Sequence, residues 1–313
     1  MTKYISASLL LFMFSGSLSA APISSFISFG DSLSDTGNVS LATGGFPPPP
    51  YASGRFTSNF TDGSAGVVWY DLVANQLGFP STNSLAGGNN YAWGGARIAA
   101  GGSVPSLVQQ SFLYLSDVGG VADENALYSI FGGGNDIRDN NIGGSVAGIS
   151  AIITNLHAAG AKNFFVPNAL NIGLTPESQA GLAPGGPAPV ITAASIAFNA
   201  QLQNEMQVLR TNLGINIIEL DLFSLFEDVN VDPASFGFSN IIDPCFNQAV
   251  GTLCADPDSY LFFDGIHPTA AGHTLLANFA IDAIMDAMDV SAPATLVIFL
   301  SGLAVVGFRR KKA

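Results

Sequence analysis

Apolar positions along this chain fall into two alternating patterns. Short unbroken runs end in glycine: Ile23–Phe29 stops at Gly30, and Ala126–Phe131 stops at Gly132-Gly133-Gly134. With Asn163–Val166 and Asn216–Leu220 they are too short for helices and predict buried strands. Longer segments repeat apolar residues every three to four positions. Val67–Leu77, Val146–Ala158, Val190–Leu213 and Thr269–Met288 do so, and each predicts a helix. Gly78 is a stop signal after the first, and Pro189 a start signal before the third. Pro47–Pro50 opens an irregular loop rich in aromatic residues. Strands alternating with helices imply an α/β fold, a parallel sheet covered on both faces. The polar motifs fall at the carboxyl ends of the strands, where such sheets carry their functional loops.

The two ends depart from this alternation. Residues 1–21 begin with Lys3, continue through the apolar run Leu9–Phe14 and close on small residues, the layout of a secretory signal peptide. Near the other end Ala294–Phe308 carries no charge and is followed by Arg309-Arg310-Lys311-Lys312. As a helix it rises ~22 Å, short for a full span unless Val290–Pro293 join it. A basic end of this kind stays cytoplasmic. Val290–Leu296, the apolar stretch and the basic tail together resemble the PEP-CTERM sorting signal of exopolysaccharide-producing Gram-negative bacteria, with Ala292 where that signal usually has Glu. The expected organisation is a leader over 1–21, one domain over 22–289 and a sorting or transmembrane segment over 290–313. The chain is then exported to the cell envelope, cell surface or extracellular matrix.

Setting the ends aside sharpens the charge. The body keeps Arg55, Arg97, Arg138, Lys162 and Arg210 against all 23 acids, a net charge of −18. Such a surface repels nucleic acid and anionic membranes. Cys245 and Cys254 stand nine positions apart with Gly251 between them. In an exported chain they are expected to pair as a disulfide rather than stay as separate thiols, and no metal site is expected from them.

Candidate chemistry begins directly after the first run, at Gly30-Asp31-Ser32-Leu33-Ser34-Asp35-Thr36-Gly37-Asn38. A serine on such a turn can expose its hydroxyl, and N–H groups at a following helix start can face a developing oxyanion. A bare Gly-Asp-Ser-Leu serves equally well as an ordinary polar loop. Its possible bases are His157, His267 and His273. His267 lies in Asp264-Gly265-Ile266-His267-Pro268-Thr269, where Asp264 can reach Nδ1 and leave Nε2 to take the serine proton. An aspartate there can also cap the helix that follows. His273, a turn into that helix, reads as structural. His157, near a helix end, reads as a dipole partner. Oxyanion donors are offered by Asn135, after the glycines at 132–134, and by Gly95 in Asn90-Tyr91-Ala92-Trp93-Gly94-Gly95-Ala96. Each block alone reads as a Gly/Asn turn.

In order, these four blocks resemble the signature of the SGNH/GDSL hydrolases. The likeness extends to Pro50-Tyr51…Gly54-Arg55-Phe56, Val166-Pro167-Asn168…Gly173-Leu174-Thr175-Pro176, Ala197-Phe198-Asn199 and Tyr260-Leu261-Phe262, and so covers nearly the whole body. It is greatest to the Gly-Asp-Ser-Leu-Ser-Asp-Thr-Gly-Asn branch of phospholipase- and acyltransferase-like enzymes. One departure is a longer stretch between Arg55 and Trp69. The resemblance implies a three-layer α/β/α sandwich with a central parallel sheet of flavodoxin-like type. It implies an esterase or lipase with Ser32 as nucleophile, His267 and Asp264 as partners, and Ser32, Gly95 and Asn135 as the oxyanion hole, with no metal or organic cofactor. A carbohydrate acetylesterase acting on exopolysaccharide is the second expectation. A surface- or matrix-binding protein without catalysis is the third, from a different class.

Overall fold

The computed structural model describes residues 23–99 and 102–290. The chain divides into two units. Pro22–Ile284 holds the sheet, and the second unit, residues 1–21 with 285–313, is described only over Met285–Val290 at the end of the last helix. The expected leader, the apolar stretch Ala294–Phe308 and the basic tail lie outside the described residues. Among the described residues no helix is long and apolar enough to cross a membrane.

Four strands, β1 (Phe26–Gly30), β2 (Leu127–Phe131), β3 (Asn163–Pro167) and β4 (Asn216–Leu220), pair in parallel in the order β1-β2-β3-β4. All begin and end within three residues of the expected runs. The helices are α1 (Asn38–Thr43), α2 (Trp69–Gln76), α3 (Leu107–Asp117), α4 (Gly134–Arg138), α5 (Ser145–Ala158), α6 (Pro176–Gln179), α7 (Ala188–Leu213), α8 (Leu222–Val231) and α9 (Ala270–Val290). A small antiparallel pair, β5 (Phe246–Asn247) and β6 (Thr252–Leu253), stands apart from the sheet. The expected helices correspond to α2, α5, α7 and α9; the longer α3 and α8 and the short α1, α4 and α6 are additions.

Side chains alternate across a pleated sheet, and here the alternation sorts the aromatic core into two layers. The register sets Gly30 beside Phe131 and Ser129 beside Phe165, so Phe26, Phe131 and Phe165 share one face. All three rings meet Trp69 of α2. Phe29, Tyr128 and Phe164 point the other way, where Tyr114 of α3 touches Phe29 and Tyr128. One helical layer is α3, α5 and α7, packed in succession. On the Trp69 face, α2 and α9 are joined where the Trp69 N–H meets His273 Nδ1 at 3.3 Å. The result is a three-layer α/β/α sandwich.

A fifth extended segment decides where the site lies. Residues 89–93 run parallel to the free edge of β1: Ser28 N–H donates to the Asn89 carbonyl, Tyr91 N–H to Ser28, and Trp93 N–H to Gly30. After β1 the chain lays this segment on one side and then returns to lay β2 on the other. The carboxyl end of β1 is therefore a topological switch point, where doubly wound sheets open a crevice.

Candidate active site

Gly30 ends β1 where a side chain would not fit, since a Cβ there would lie 2.9 Å from the Phe131 carbonyl oxygen. The chain then turns tightly. Ser34 and Asp35 donate their N–H groups to the Asp31 carbonyl, and Leu33 N–H donates to Asp31 Oδ1 at 3.0 Å. This turn presents Ser32 at the switch point. The start of α1 does not face it, contrary to the sequence expectation, because Asp35 takes up those donors. Gly37 and Asn38 N–H bind its Oδ1 and Val39 N–H its Oδ2.

His267 arrives from the other end of the chain. Thr269, not Asp264, caps α9, accepting the Gly272 N–H at 3.1 Å. Asp264 Oδ1 instead accepts the N–H groups of Ile266 (2.8 Å) and His267 (2.7 Å), which folds the loop back on itself. Its Oδ2 lies 2.7 Å from His267 Nδ1, and His267 Nε2 lies 2.9 Å from Ser32 Oγ. An ionised carboxylate only accepts, so Nδ1 carries the ring proton and Nε2 receives the serine hydroxyl. Burial works against the charge on Asp264. The His267 charge, the His267 and Tyr51 hydrogen bonds and the Ile266 N–H outweigh it and hold Asp264 well below the usual carboxylate range. Phe56 lies over the imidazole, ring centres 5.4 Å apart.

Of the three expected oxyanion donors, Ser32 and Asn135 line the cleft with His267, and Gly95 is not among its lining residues. Among the described residues the N–H groups of Ser32 and Gly95 are not taken up by a loop hydrogen bond. Gly95 sits at φ +82°, a conformation that favours glycine. Its neighbour Gly94 is fixed by its N–H to Asp35 Oδ2 at 2.9 Å, and a Cβ on Gly94 would strike the Phe56 ring at 2.3 Å. Asn135 lines the cleft beside Ser32 and His267. One Nδ2 proton is committed to the Ala96 carbonyl at 2.9 Å, which leaves the other for a ligand.

The motif residues between these points stitch rather than react. Asn38 Nδ2 donates to the Asn90 and Ala92 carbonyls, and Asn90 Nδ2 donates to the Ser34 carbonyl at 2.7 Å. Arg55 pairs with Asp71 at 2.9 Å and reaches the Thr36 carbonyl at 2.7 Å. His273 is wholly buried in α9, and burial pushes its imidazole down to about 3, so it stays neutral. His157 Nδ1 lies 3.2 Å from the Ala161 carbonyl, in α5. Cys245 and Cys254 are joined as a disulfide around β5 and β6. Among the described residues no group of three or more His, Cys, Asp or Glu is placed to hold a metal ion.

Two residues of the site were not singled out for chemistry from the sequence. Tyr51 donates its hydroxyl to Asp264 Oδ2 at 2.6 Å, and Gln248 donates to the Tyr51 hydroxyl at 2.6 Å. Tyr51 is 213 positions from Asp264. Only its place in the Pro50-Tyr51 block hinted at a role.

Fold and geometry together define a doubly wound α/β protein with a Ser–His–Asp hydrogen-bond chain at its switch point. The family model for GDSL-like Lipase/Acylhydrolase matches residues 26–280, and the chain belongs to that family. It is 32% identical to Esterase EstA of Pseudomonas aeruginosa over 83% of this chain and 46% of that protein. A GDSL esterase/lipase of Arabidopsis thaliana is 28% identical, over 88% and 93% respectively. The thermolabile hemolysin of Vibrio parahaemolyticus is 27% identical, over 82% and 62%. The chain thus spans about half the length of the Pseudomonas esterase.

Proposed function

We propose that the chain is a carboxylic ester hydrolase of the esterase or lipase type, working through an acyl-enzyme on Ser32. The observation that carries this reading is the unbroken chain from Ser32 Oγ through His267 to Asp264, at 2.9 and 2.7 Å. His267 Nε2 takes the hydroxyl proton as Ser32 Oγ attacks the ester carbonyl carbon. The N–H groups of Ser32 and Gly95 and the free Asn135 Nδ2 proton meet the oxyanion. Collapse breaks the ester C–O bond, and the imidazolium gives its proton to the leaving alkoxide. Water, deprotonated by His267, then releases the acid and restores Ser32. Asp264 remains ionised throughout, fixing the tautomer and facing the imidazolium.

A second reading, a carbohydrate acetylesterase, is favoured by the size of the cleft. The space beside Ser32, lined by Leu33, Leu170, Ile172 and Ile266, is about 40 Å³. Pockets that enclose larger ligands usually measure about 300–1,000 Å³. Hollows of about 500 Å³ beside β4 and 580 Å³ beside α3 are roomier, but no histidine lines either. Export to the envelope or surface is part of the proposal, supported by the leader-like start and the Cys245–Cys254 pair. The C-terminal sorting role is supported by its sequence pattern.

The test is hydrolysis of p-nitrophenyl esters from acetate to palmitate by the chain and its Ser32→Ala variant. Turnover that vanishes in the variant, with its circular dichroism unchanged, is expected. A peak at acetate favours the acetylesterase reading, and a peak at medium or long chains favours the lipase reading. A folded protein with no turnover on any ester sinks both and leaves the binding-protein alternative.

A further inference from the structure

We propose that Tyr51 is a positioning residue for the Asp264–His267 pair, and that Gln248 aims its hydroxyl. This rests on the catalytic reading of Ser32, His267 and Asp264 given above. Asp264 Oδ2 is shared between two donors, His267 Nδ1 at 2.7 Å and the Tyr51 hydroxyl at 2.6 Å. The phenol therefore decides which lone pair of that oxygen faces the imidazole, and it draws off part of the oxygen's charge. A phenolic hydroxyl can rotate and both donates and accepts. Gln248 Nε2, donating from 2.6 Å, occupies its accepting side, and Asp264 is left as the target of its proton.

The surroundings are built to hold this phenol. The Tyr51 ring stands edge-on to Phe263 at 4.9 Å and to Phe246 at 6.0 Å, while those two rings lie nearly parallel, 5.8 Å apart. Phe263 is the residue before Asp264. Phe246 opens the β5–β6 hairpin, whose N–H groups at Cys245 and Phe246 donate to the carbonyls of Phe262 and Phe263. Gln248 sits in the turn of that same hairpin, inside the loop closed by Cys245–Cys254. One stapled hairpin thus supports the histidine loop from its backbone and reaches its carboxylate through Gln248 and Tyr51.

The charged and titratable groups facing this pair are Asp31 and His273 toward His267, and Arg138, in ion pair with Glu177, toward Asp264. None of them is altered by changing Tyr51 to phenylalanine. Removing the hydroxyl leaves Asp264 Oδ2 with more charge directed at the imidazole and less fixed in angle.

The experiment uses the full chain with Tyr51→Phe, Gln248→Ala and the double variant. Losing a hydrogen bond to a charged group, kcat for p-nitrophenyl acetate is expected to fall roughly tenfold in Tyr51→Phe with KM little changed. The acid limb of its kcat/KM profile moves to higher pH. Gln248→Ala, at an exposed position, gives a smaller change in the same direction, and the double variant matches Tyr51→Phe alone, because Gln248 acts through the hydroxyl. The low-field proton resonance of His267 Nδ1–H shifts in Tyr51→Phe, whether or not turnover is measured. Wild-type kcat and acid limb in Tyr51→Phe, an unmoved resonance, or additive losses in the double variant would each overturn the proposal. Absence of Ser32-dependent turnover in the wild type is a different failure, that of the catalytic reading, and the resonance still tests Tyr51 then.

Discussion

The serine loop and the histidine loop each bury an aspartate beside the same imidazole, and treat it differently. Asp31 and Asp264 are equally hidden, each 3% exposed. Burial pushes Asp31 up to about 6, with the Leu33 N–H and the His267 charge offsetting part of the rise and Asp136 adding to it. Asp264 is held low by the His267 charge, two backbone N–H groups, the Nδ1 proton and the Tyr51 hydroxyl. Depth is the same, so donors and neighbouring charge decide the outcome. A carboxylate that must stay ionised beside a base needs its hydrogen bonds built by the loop that carries it.

The largest test of this contrast is Asp264→Asn. An amide in that place no longer fixes the Nδ1–H tautomer, and kcat for p-nitrophenyl acetate is expected to fall ~10³–10⁴-fold. A loss under tenfold would break the comparison, since Asp31 would then suffice as partner. Asp31→Asn tests the other side through stability. The Asp31 carboxyl has a raised folded pKa, so the wild type loses stability as pH rises from the unfolded value, near 4, through about 6. By that linkage the variant gains about 3 kcal/mol over wild type at pH 8, and the gain disappears below pH 4. Thermal unfolding across that range measures it, and a gap that does not change with pH would count against the assignment. The smallest effect is expected from replacing both Cys245 and Cys254 with serine. Opening so short a loop costs about 2 to 3 kcal/mol. Because the hairpin braces the histidine loop and Tyr51, activity should fall with it while the serine turn keeps its structure. Denaturant unfolding and ester turnover on the same samples check the pair.

Much of this was legible in the chain, for reasons that differ by element. Asn216–Leu220 is legible as a strand because a short apolar run between polar turns has few alternatives. The blocks around Ser32, Asp264 and His267 each also suit an ordinary turn or cap, and it is their order along the chain, resembling the SGNH/GDSL signature, that singles these three residues out. Residues 89–93 did not read as a strand, since their Asn- and Gly-rich surroundings look like a turn. They are held extended by β1 backbone groups and by the Asn38 and Asn90 side chains, which periodicity does not register. Helix α3 escaped because its apolar side chains are not confined to one face, with Phe112 and Leu113 exposed. Tyr51 meets Asp264 only through tertiary folding, and no local pattern encodes a contact across 213 positions.

Ser32 follows the first strand, and His267 precedes the last described helix, 235 positions later. A chain emerging amino end first carries its serine without a base until residue 267 has been made and the loop before α9 has docked. Completion of the hydrogen-bond chain is thus a record that folding has run to its end. Under the proposed mechanism, a nascent or nicked molecule that lacks the docked loop has a serine hydroxyl and no His267 to take its proton, and such unfinished copies are expected to be inert.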